Sequence, residues 1–110
     1  MGSEEFAVVL TTFPADGDAE TFAETLIAER LAACVNVLPP MRSVYTWEGK
    51  IERADERQLL IKTRINSVHR LERRLKELHR YDTPEFLVVP VLDGSREYLA
   101  WLGASVRVDP

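Results

Sequence analysis

The chain has 110 residues, of which 45% are hydrophobic and 29% are charged, and its formal net charge is −4 at pH 7. Such a chain is typical of one globular domain, here residues 1–110, with flexible ends expected at about 1–4 and 106–110. The acidic balance argues against nucleic acid, and no apolar run approaches the roughly 20 residues that cross a bilayer, so we expect neither a nucleic-acid nor a membrane partner.

The first two predicted elements are a strand and a helix. The strand, Glu5–Thr12, is apolar with almost no alternation, which indicates that both of its faces are shielded from water. The helix is predicted over Ala19–Ala32, with Asp18 as its N-cap because a carboxylate there accepts a hydrogen bond from a free backbone N–H. The side of this helix that faces the sheet is expected to carry Phe22, Ala23, Leu26 and Ile27.

A long hairpin is predicted next. Its first strand starts near Cys34 and contains Pro39 and Pro40, which a central strand does not accommodate, so we place this strand at an edge of the sheet. The chain then turns at Glu48 and Gly49. A two-residue turn would set two cross-strand pairs, Trp47 with Lys50 and Tyr45 with Glu52.

The second half of the chain repeats the order of strand, helix and strand. A strand over Gln58–Arg64 is followed by a helix that Asn66 or Ser67 caps, and then by a strand over Phe86–Val91 in which a proline favours an edge position. Along that helix, apolar residues recur at helical spacing: Val68, Leu71, Leu75 and Leu78. A short final helix, capped by Ser95, completes the predicted elements.

This order of elements defines the expected fold class: α+β, a ferredoxin-like βαββαβ antiparallel sheet with a short C-terminal helix. The first and third strands are central, and the two proline-bearing strands lie at the edges. Because both crossovers are expected to be right-handed, both long helices fall on one face of the sheet. A second copy of the chain is then needed to cover the other face, so we expect a homo-oligomer.

No residue pattern indicates an enzyme. Cys34 is the only cysteine, so no disulfide forms within a chain, which fits a reducing, cytoplasmic setting. It has no partner in a C-x-x-C motif and no neighbouring base that would activate its thiol. The sequence also contains no glycine-rich phosphate loop and no recognisable pair of acid and base carboxylates.

His79 and Cys34 are the candidate metal ligands. A histidine at the end of a helix most often caps the last carbonyls, and a cysteine at the start of a strand is most often a small buried hydrophobe. The alternative is an incomplete, exchangeable site for copper or zinc, since an imidazole and a thiolate suit these ions better than they suit magnesium or calcium.

The aromatic residues also allow two interpretations. Five of them fall near the ends of predicted elements: Tyr45, Trp47, Tyr81, Tyr98 and Trp101. Aromatic residues in such positions usually pack an interface. The alternative is a cleft between subunits that holds a small anionic metabolite or a partner segment. The residues proposed for this cleft are Tyr45, Trp47, Lys62, Tyr81 and Glu85.

Five segments, which span nearly the whole chain, carry a resemblance to a known family: Glu29–Pro39, Ser43–Glu52, Leu59–Thr63, Leu78–Glu85 and Arg96–Leu102. In order and spacing they resemble the CutA family of divalent-cation tolerance proteins. The resemblance implies a ferredoxin-like fold assembled as a homotrimer through sheet faces and inter-subunit strands, similar in plan to the trimeric PII signal proteins.

The resemblance also implies a function. The family is linked to tolerance of copper and other divalent metals, and its cysteine and helix-terminal histidine match Cys34 and His79. Some copper-binding members use a further cysteine near the first helix, and Thr11–Asp18 contains none. We therefore expect a non-enzymatic homotrimer without a required cofactor that binds Cu(II) or another divalent metal ion weakly, through His79 and possibly through Cys34. The alternative is a PII-like regulatory or scaffold trimer with a ligand cleft.

Overall fold

The computed structural model describes residues 5–107, which form four strands, three α-helices and one short 3₁₀ turn. In chain order these are β1 (Phe6–Pro14), α1 (Ala19–Ala28), β2 (Cys34–Trp47), β3 (Lys50–Arg64), the 3₁₀ turn (Ile65–Ser67), α2 (Val68–Leu78), β4 (Leu87–Pro90) and α3 (Arg96–Ser105). None of the helices within residues 5–107 is long and apolar enough to cross a bilayer. Of the flexible ends expected at about 1–4 and 106–110, residues 1–4 and 108–110 lie outside the described residues.

The strands form one antiparallel sheet in the order β2-β3-β1-β4. This arrangement confirms the ferredoxin-like fold class, with β1 and β3 central and the two proline-bearing strands at the edges. The ladder between β1 and β3 runs from Phe6 opposite Arg64 to Pro14 opposite Glu56. Because β4 pairs only with Ala7–Leu10 of β1, the last residues of β1 have no strand neighbour on that side.

The helices α1 and α2 cover one face of the sheet, as the right-handed crossovers predicted. Three alternate residues of β3 lie under them and are fully buried: Leu59, Ile61 and Thr63. Leu26 of α1 and the pair Leu71 and Leu75 of α2 are also fully buried in this core. Burying a leucine or isoleucine side chain in this way stabilises the fold by roughly 1.5–3 kcal/mol.

Helix α1 is shorter than predicted. Asp18 caps its N-terminus as expected, accepting a hydrogen bond from the Thr21 backbone N–H at 3.0 Å. The helix ends at Ala28 because Arg30 adopts a φ of 59°, a left-handed conformation that turns the chain out of the helical path. Ile27, which was also predicted on the side facing the sheet, is 38% exposed and does not belong to the buried core. It lies beside the apolar stripe of the helix rather than on it.

Strands β2 and β3 form one hairpin of 14 and 15 residues. Its turn sets the two predicted cross-strand pairs, Trp47 with Lys50 and Tyr45 with Glu52. The register shifts between Val37 and Pro40, where a proline cannot donate to the ladder. β3 begins at Lys50 rather than at the predicted Gln58, because β2 supplies a partner for the charged residues before Gln58.

Helix α2 carries the predicted apolar stripe, with its central leucines buried and Val68 and Leu78 partly buried against the same core. Ser67 occupies the N-cap position, but its hydroxyl makes no capping bond and instead accepts a hydrogen bond from Arg70. At the other end, His79 follows the helix in an extended conformation. The imidazole is thereby carried away from the helix axis and toward the sheet.

The face of the sheet away from α1 and α2, here called the open face, carries Val8, Leu10, Leu60, Lys62 and Val89. Helix α3 covers one end of it, where Phe6, Leu102 and Val106 form a small buried cluster. Val106, which was expected in a flexible end, is 1% exposed and packs in this cluster. Exposed apolar side chains remain in β4, the following segment and α3: Leu87, Val88, Val89, Leu92, Tyr98 and Trp101.

Candidate functional site

His79 lies beside the edge of β1 that β4 leaves unpaired. Its Nε2 lies 2.7 Å from the Thr12 carbonyl oxygen, and its Nδ1 accepts a hydrogen bond from the Tyr81 backbone N–H at 3.0 Å. These partners require the tautomer with the proton on Nε2, which donates to the carbonyl. The imidazole is buried and packs edge-on against Phe13 and Phe22. Both ring nitrogens are therefore used to hold the backbone.

Cys34 lies elsewhere on the sheet, at the start of the edge strand β2. It pairs with Lys62 on β3, whereas Thr12, which His79 contacts, pairs with Gln58. Four residues of extended strand separate these two positions by about 13 Å. The structure therefore does not bring Cys34 and His79 together within one subunit. Within residues 5–107, no group of three or more His, Cys, Asp or Glu side chains is placed to hold a metal ion.

A cleft of about 770 Å³ lies on the open face, between the β2–β3 hairpin and the segment that joins α2 to β4. Three aromatic side chains and three carboxylates line it: Tyr45, Trp47, Tyr81, Glu56, Asp82 and Glu85. We call this region the acidic cleft. Its volume is in the range of small-molecule sites. Four of the five residues predicted for a ligand cleft are thus brought together.

Lys62, the fifth residue predicted for the cleft, does not line it. Although it shares the open face with Gln58, the rise of the strand places it about 13 Å further along. Its ammonium lies 5.9 Å from the centre of the Tyr98 ring, at the end covered by α3. Among the salt bridges described for residues 5–107, none joins Lys62 to Glu52 or Glu85. The polar anchor expected for an anion is therefore missing from the cleft.

Glu56 forms the base of the acidic cleft, and its side chain is only 7% exposed. Its Oε2 accepts hydrogen bonds from the Tyr81 hydroxyl at 2.9 Å and from the Thr12 hydroxyl at 3.3 Å. Because Tyr81 follows α2 while Glu56 belongs to β3, the first bond fastens the connecting segment over the edge of the sheet. The carboxylate is thus positioned by two different elements.

Gln58 links Glu85, which lies on the opposite wall of the cleft from the hairpin, to strand β1. Its Nε2 donates to the Thr11 carbonyl oxygen at 2.8 Å and to Oε2 of Glu85 at 3.0 Å. Pro84, next to Glu85, is buried, which limits the freedom of the segment at this point. The Glu85 carboxylate is therefore held at the cleft while its remaining acceptor positions stay available.

Tyr81 provides a measurable signature of this arrangement. Burial, followed by the hydrogen bond to Glu56, raises the pKa of the Tyr81 hydroxyl from 10.0 to about 12. Since the folded-state pKa exceeds the unfolded one, the neutral phenol contributes stability below pH 10 that is lost between about pH 10 and 12.

In a spectrophotometric titration, we expect Tyr81→Phe to remove the tyrosine that ionises last. Glu56→Gln should lower the highest tyrosine pKa, and an unchanged value would contradict the role of this bond.

Thr12, Glu56 and Gln58 are parts of the cleft that the sequence analysis missed. Glu56 stands in a run of charged residues, a pattern that usually marks a solvated surface. The usable signal was the period of two along β3, which sets Glu56 and Gln58 on the same face as Leu60. This alternation does not predict that the segment after α2 closes over the open face.

Comparison with known proteins identifies the family. The sequence profile of the CutA1 divalent ion tolerance proteins matches residues 7–105. A divalent-cation tolerance protein CutA from Pectobacterium atrosepticum is 50% identical over 100 residues, which cover 91% of this chain and 91% of that relative. The chain belongs to the CutA1 family of divalent ion tolerance proteins. The family suggested by the five sequence segments is thereby confirmed.

Solved structures of CutA1 proteins share the fold. The divalent cation tolerance protein from Thermus thermophilus superimposes with a TM-score of 0.89 at 42% identity, covering 93% of this chain and 99% of that one. CutA1 from Oryza sativa gives a TM-score of 0.92 at 39% identity, with 97% and 98% covered. The CutA1 fold therefore extends over the sheet, both long helices and α3.

Proposed function

We propose that this divalent-cation tolerance protein works as a homotrimer and catalyses no reaction. The assembly is supported chiefly by the apolar side chains on the open face. Leu87 is 55% exposed and Val89 is 45% exposed, and Trp101 of α3, the helix that covers one end of this face, is 48% exposed. Exposed apolar side chains of this kind are typical of an interface, since leaving them in water costs free energy that association recovers.

The free edges of the sheet support the same assembly. β2 is an edge strand of 14 residues, and its hairpin with β3 extends beyond the end of β1 at Pro14. Apolar side chains on this extension, such as Val44 and Ile51, are 59% and 67% exposed. A long, partly apolar edge is a template for pairing with another chain. Further copies of this chain arranged in a closed ring would cover both the edges and the open face.

Direct contact with Cu(II) or another divalent ion is proposed to be weak and to depend on Cys34. A thiolate is the softest donor that the chain offers, and Cys34 is only partly buried. His79 is the second candidate, but it would first have to release the Thr12 carbonyl and the Tyr81 N–H. Leaving these backbone groups unpaired in a buried site costs about 1–3 kcal/mol each.

A calorimetric titration with Cu(II), repeated with the redox-inert ion Zn(II), tests this contact. The titrations are made in a His69→Ala background, because an exposed imidazole such as that of His69 can itself bind copper. We expect weak binding that Cys34→Ser reduces and that His79→Ala leaves unchanged in protein that remains folded. Binding that depends on His79 and not on Cys34 would contradict the proposal.

The tolerance function is tested by growth. In a bacterial strain that lacks its own CutA1-family gene, this chain is expected to restore growth on copper. A variant that cannot form the trimer should fail to do so, since the proposed active species is the assembly. Failure of the wild-type chain at normal expression would count against the function, and rescue by a monomeric variant would count against the role of assembly.

A further inference from the structure

We propose that Glu85 in the acidic cleft of one subunit forms an ion pair with Lys62 of the partner subunit. Each cleft is then closed by a side chain of the next copy in the ring. This inference rests on the proposed homotrimer and gives the cleft a role in assembly. It follows from the charges along the open face, the surroundings of Lys62 and the bonds of Glu85.

The open face carries opposite charges at its two ends. Glu56, Asp82 and Glu85 line the acidic cleft, and the described residues that line it include no lysine, arginine or histidine. Lys62 lies on the same face, about 13 Å along β3 from Gln58, which is another lining residue of the cleft. A surface whose ends differ in sign attracts a second copy of itself when unlike ends meet.

The symmetry of a ring allows the unlike ends to meet. In a closed ring of three copies, each contact joins one patch of a subunit to a different patch of the next. The acidic end lies beside the part of the hairpin that extends beyond Pro14, where Tyr45 and Trp47 are exposed. At the opposite end, Tyr98 and Trp101 of α3 are exposed as well. A contact between unlike ends therefore covers aromatic surface on both subunits.

Lys62 needs a counter-ion once a partner covers the open face. It is already half-buried in a single subunit, and its ammonium lies 5.9 Å from the centre of the Tyr98 ring. Among the salt bridges described for residues 5–107, none includes Lys62. The ring attracts the charge, but it does not replace an oxygen acceptor for the three donors of an ammonium group. Since burying an ammonium without a counter-ion is costly, a carboxylate of the partner would offset that cost.

Glu85 is the carboxylate of the cleft that is best placed to supply this charge. Its Oε2 accepts a hydrogen bond from Gln58 at 3.0 Å, and Gln58 is itself held by the Thr11 carbonyl oxygen at 2.8 Å. The bond described for the Glu85 carboxylate falls on Oε2, which leaves Oε1 as an acceptor. Glu56 already accepts bonds from two hydroxyl groups, and none of the bonds described for residues 5–107 fixes the exposed side chain of Asp82. A carboxylate that is already held in place loses less freedom on pairing.

Reversal of the two charges tests the pair. Sedimentation velocity across a dilution series, in a fixed sub-denaturing concentration of urea, gives the protein concentration at which half of the trimer has dissociated. Lys62→Glu and Glu85→Lys each place like charges at the contact and should raise this concentration at least about tenfold. The double variant restores an opposite pair with the charges exchanged, so it should return the value to within about threefold of the wild type. Circular dichroism of each variant should show the wild-type fold.

Two controls separate a specific pair from a general effect of charge. Arg73→Glu makes the same reversal at an exposed position of α2, on the other side of the sheet from the open face, and should leave the assembly unchanged. Lys62→Glu combined with Asp82→Lys has the same net charge as the double variant. Because it does not rebuild the pair at Glu85, it should recover far less of the assembly.

The inference is overturned if either single reversal leaves the assembly unchanged, or if the double variant assembles no better than the single ones. Equal recovery with Asp82→Lys would also overturn it, since Glu85 would then not be the partner. These three results leave the proposed homotrimer intact, because the mass of the wild-type protein measures the assembly independently. A wild-type protein with the mass of one subunit would overturn both the inference and the proposed assembly.

Discussion

Val89→Asp is expected to convert the proposed homotrimer to monomers, with a threefold drop in mass measured by light scattering. Val89 lies on the open face, opposite Val8, and is 45% exposed in a single subunit. The folded monomer therefore tolerates a carboxylate at this position. In the assembly the same carboxylate would be removed from water without a partner, at a cost of several kcal/mol in each subunit. The far-ultraviolet circular dichroism spectrum should remain that of the wild type.

Two controls make this result specific. Asn66→Asp adds the same charge at an exposed position of the 3₁₀ turn before α2 and should leave the mass unchanged. Val89→Thr keeps the shape without the charge and should weaken the assembly much less. A Val89→Asp protein that keeps the mass of the wild type would show that the open face is not the interface.

His79→Ala is expected to lower the free energy of unfolding by about 3 kcal/mol. The substitution removes the partner of the Thr12 carbonyl, which lies 2.7 Å from Nε2, and the acceptor of the Tyr81 N–H. It also leaves a cavity against Phe13 and Phe22, whose ring centres lie 5.1 and 6.0 Å from that of the imidazole. Denaturant melts of both proteins at one fixed concentration measure the effect, because the stability of an oligomer depends on concentration.

The second histidine of the chain offers a matched control. His69 lies on an exposed position of α2, so His69→Ala should change the free energy of unfolding by no more than about 0.5 kcal/mol. If the two variants unfolded at the same denaturant concentration, the bonds of His79 would contribute nothing to the fold. The expected difference would identify His79 as a residue that stabilises the fold. Its match to the family's helix-terminal histidine is then explained without a metal.

The agreement between sequence and structure is closest where a local pattern decides the outcome. The two-residue turn of the hairpin placed Trp47 opposite Lys50 as predicted, since turn length sets the register of an antiparallel pair. The alternation of side chains along β3 places Leu59 and Ile61 under the helices and Lys62 on the open face, as a period of two requires. The prolines correctly predicted edge positions for β2 and β4. A proline has no N–H to donate, so in a central strand it would leave a hydrogen bond to the neighbouring strand unmade.

The disagreements lie where distant segments meet. Cys34 and His79 looked like possible partners as donors of suitable softness, but they sit about 13 Å apart along the strand direction. Lys62 was proposed for the same cleft as the aromatic residues, but it lies about 13 Å further along the strand, and a shared face of the sheet carries no information on that distance. Glu56 was overlooked because its burial comes from Tyr81, which a separate segment brings across the sheet.

Element order, sheet topology and family membership follow from the amino-acid pattern, because periodicity, turn length and proline position act within a few residues of one another. The set of side chains that line the acidic cleft does not follow from this pattern. It depends on how far β4 runs along β1 and on the path of the segment from His79 to Glu85, which fills the unpaired edge and folds over the open face. That path is set by packing and hydrogen bonds between residues far apart in sequence, so it becomes visible only in three dimensions.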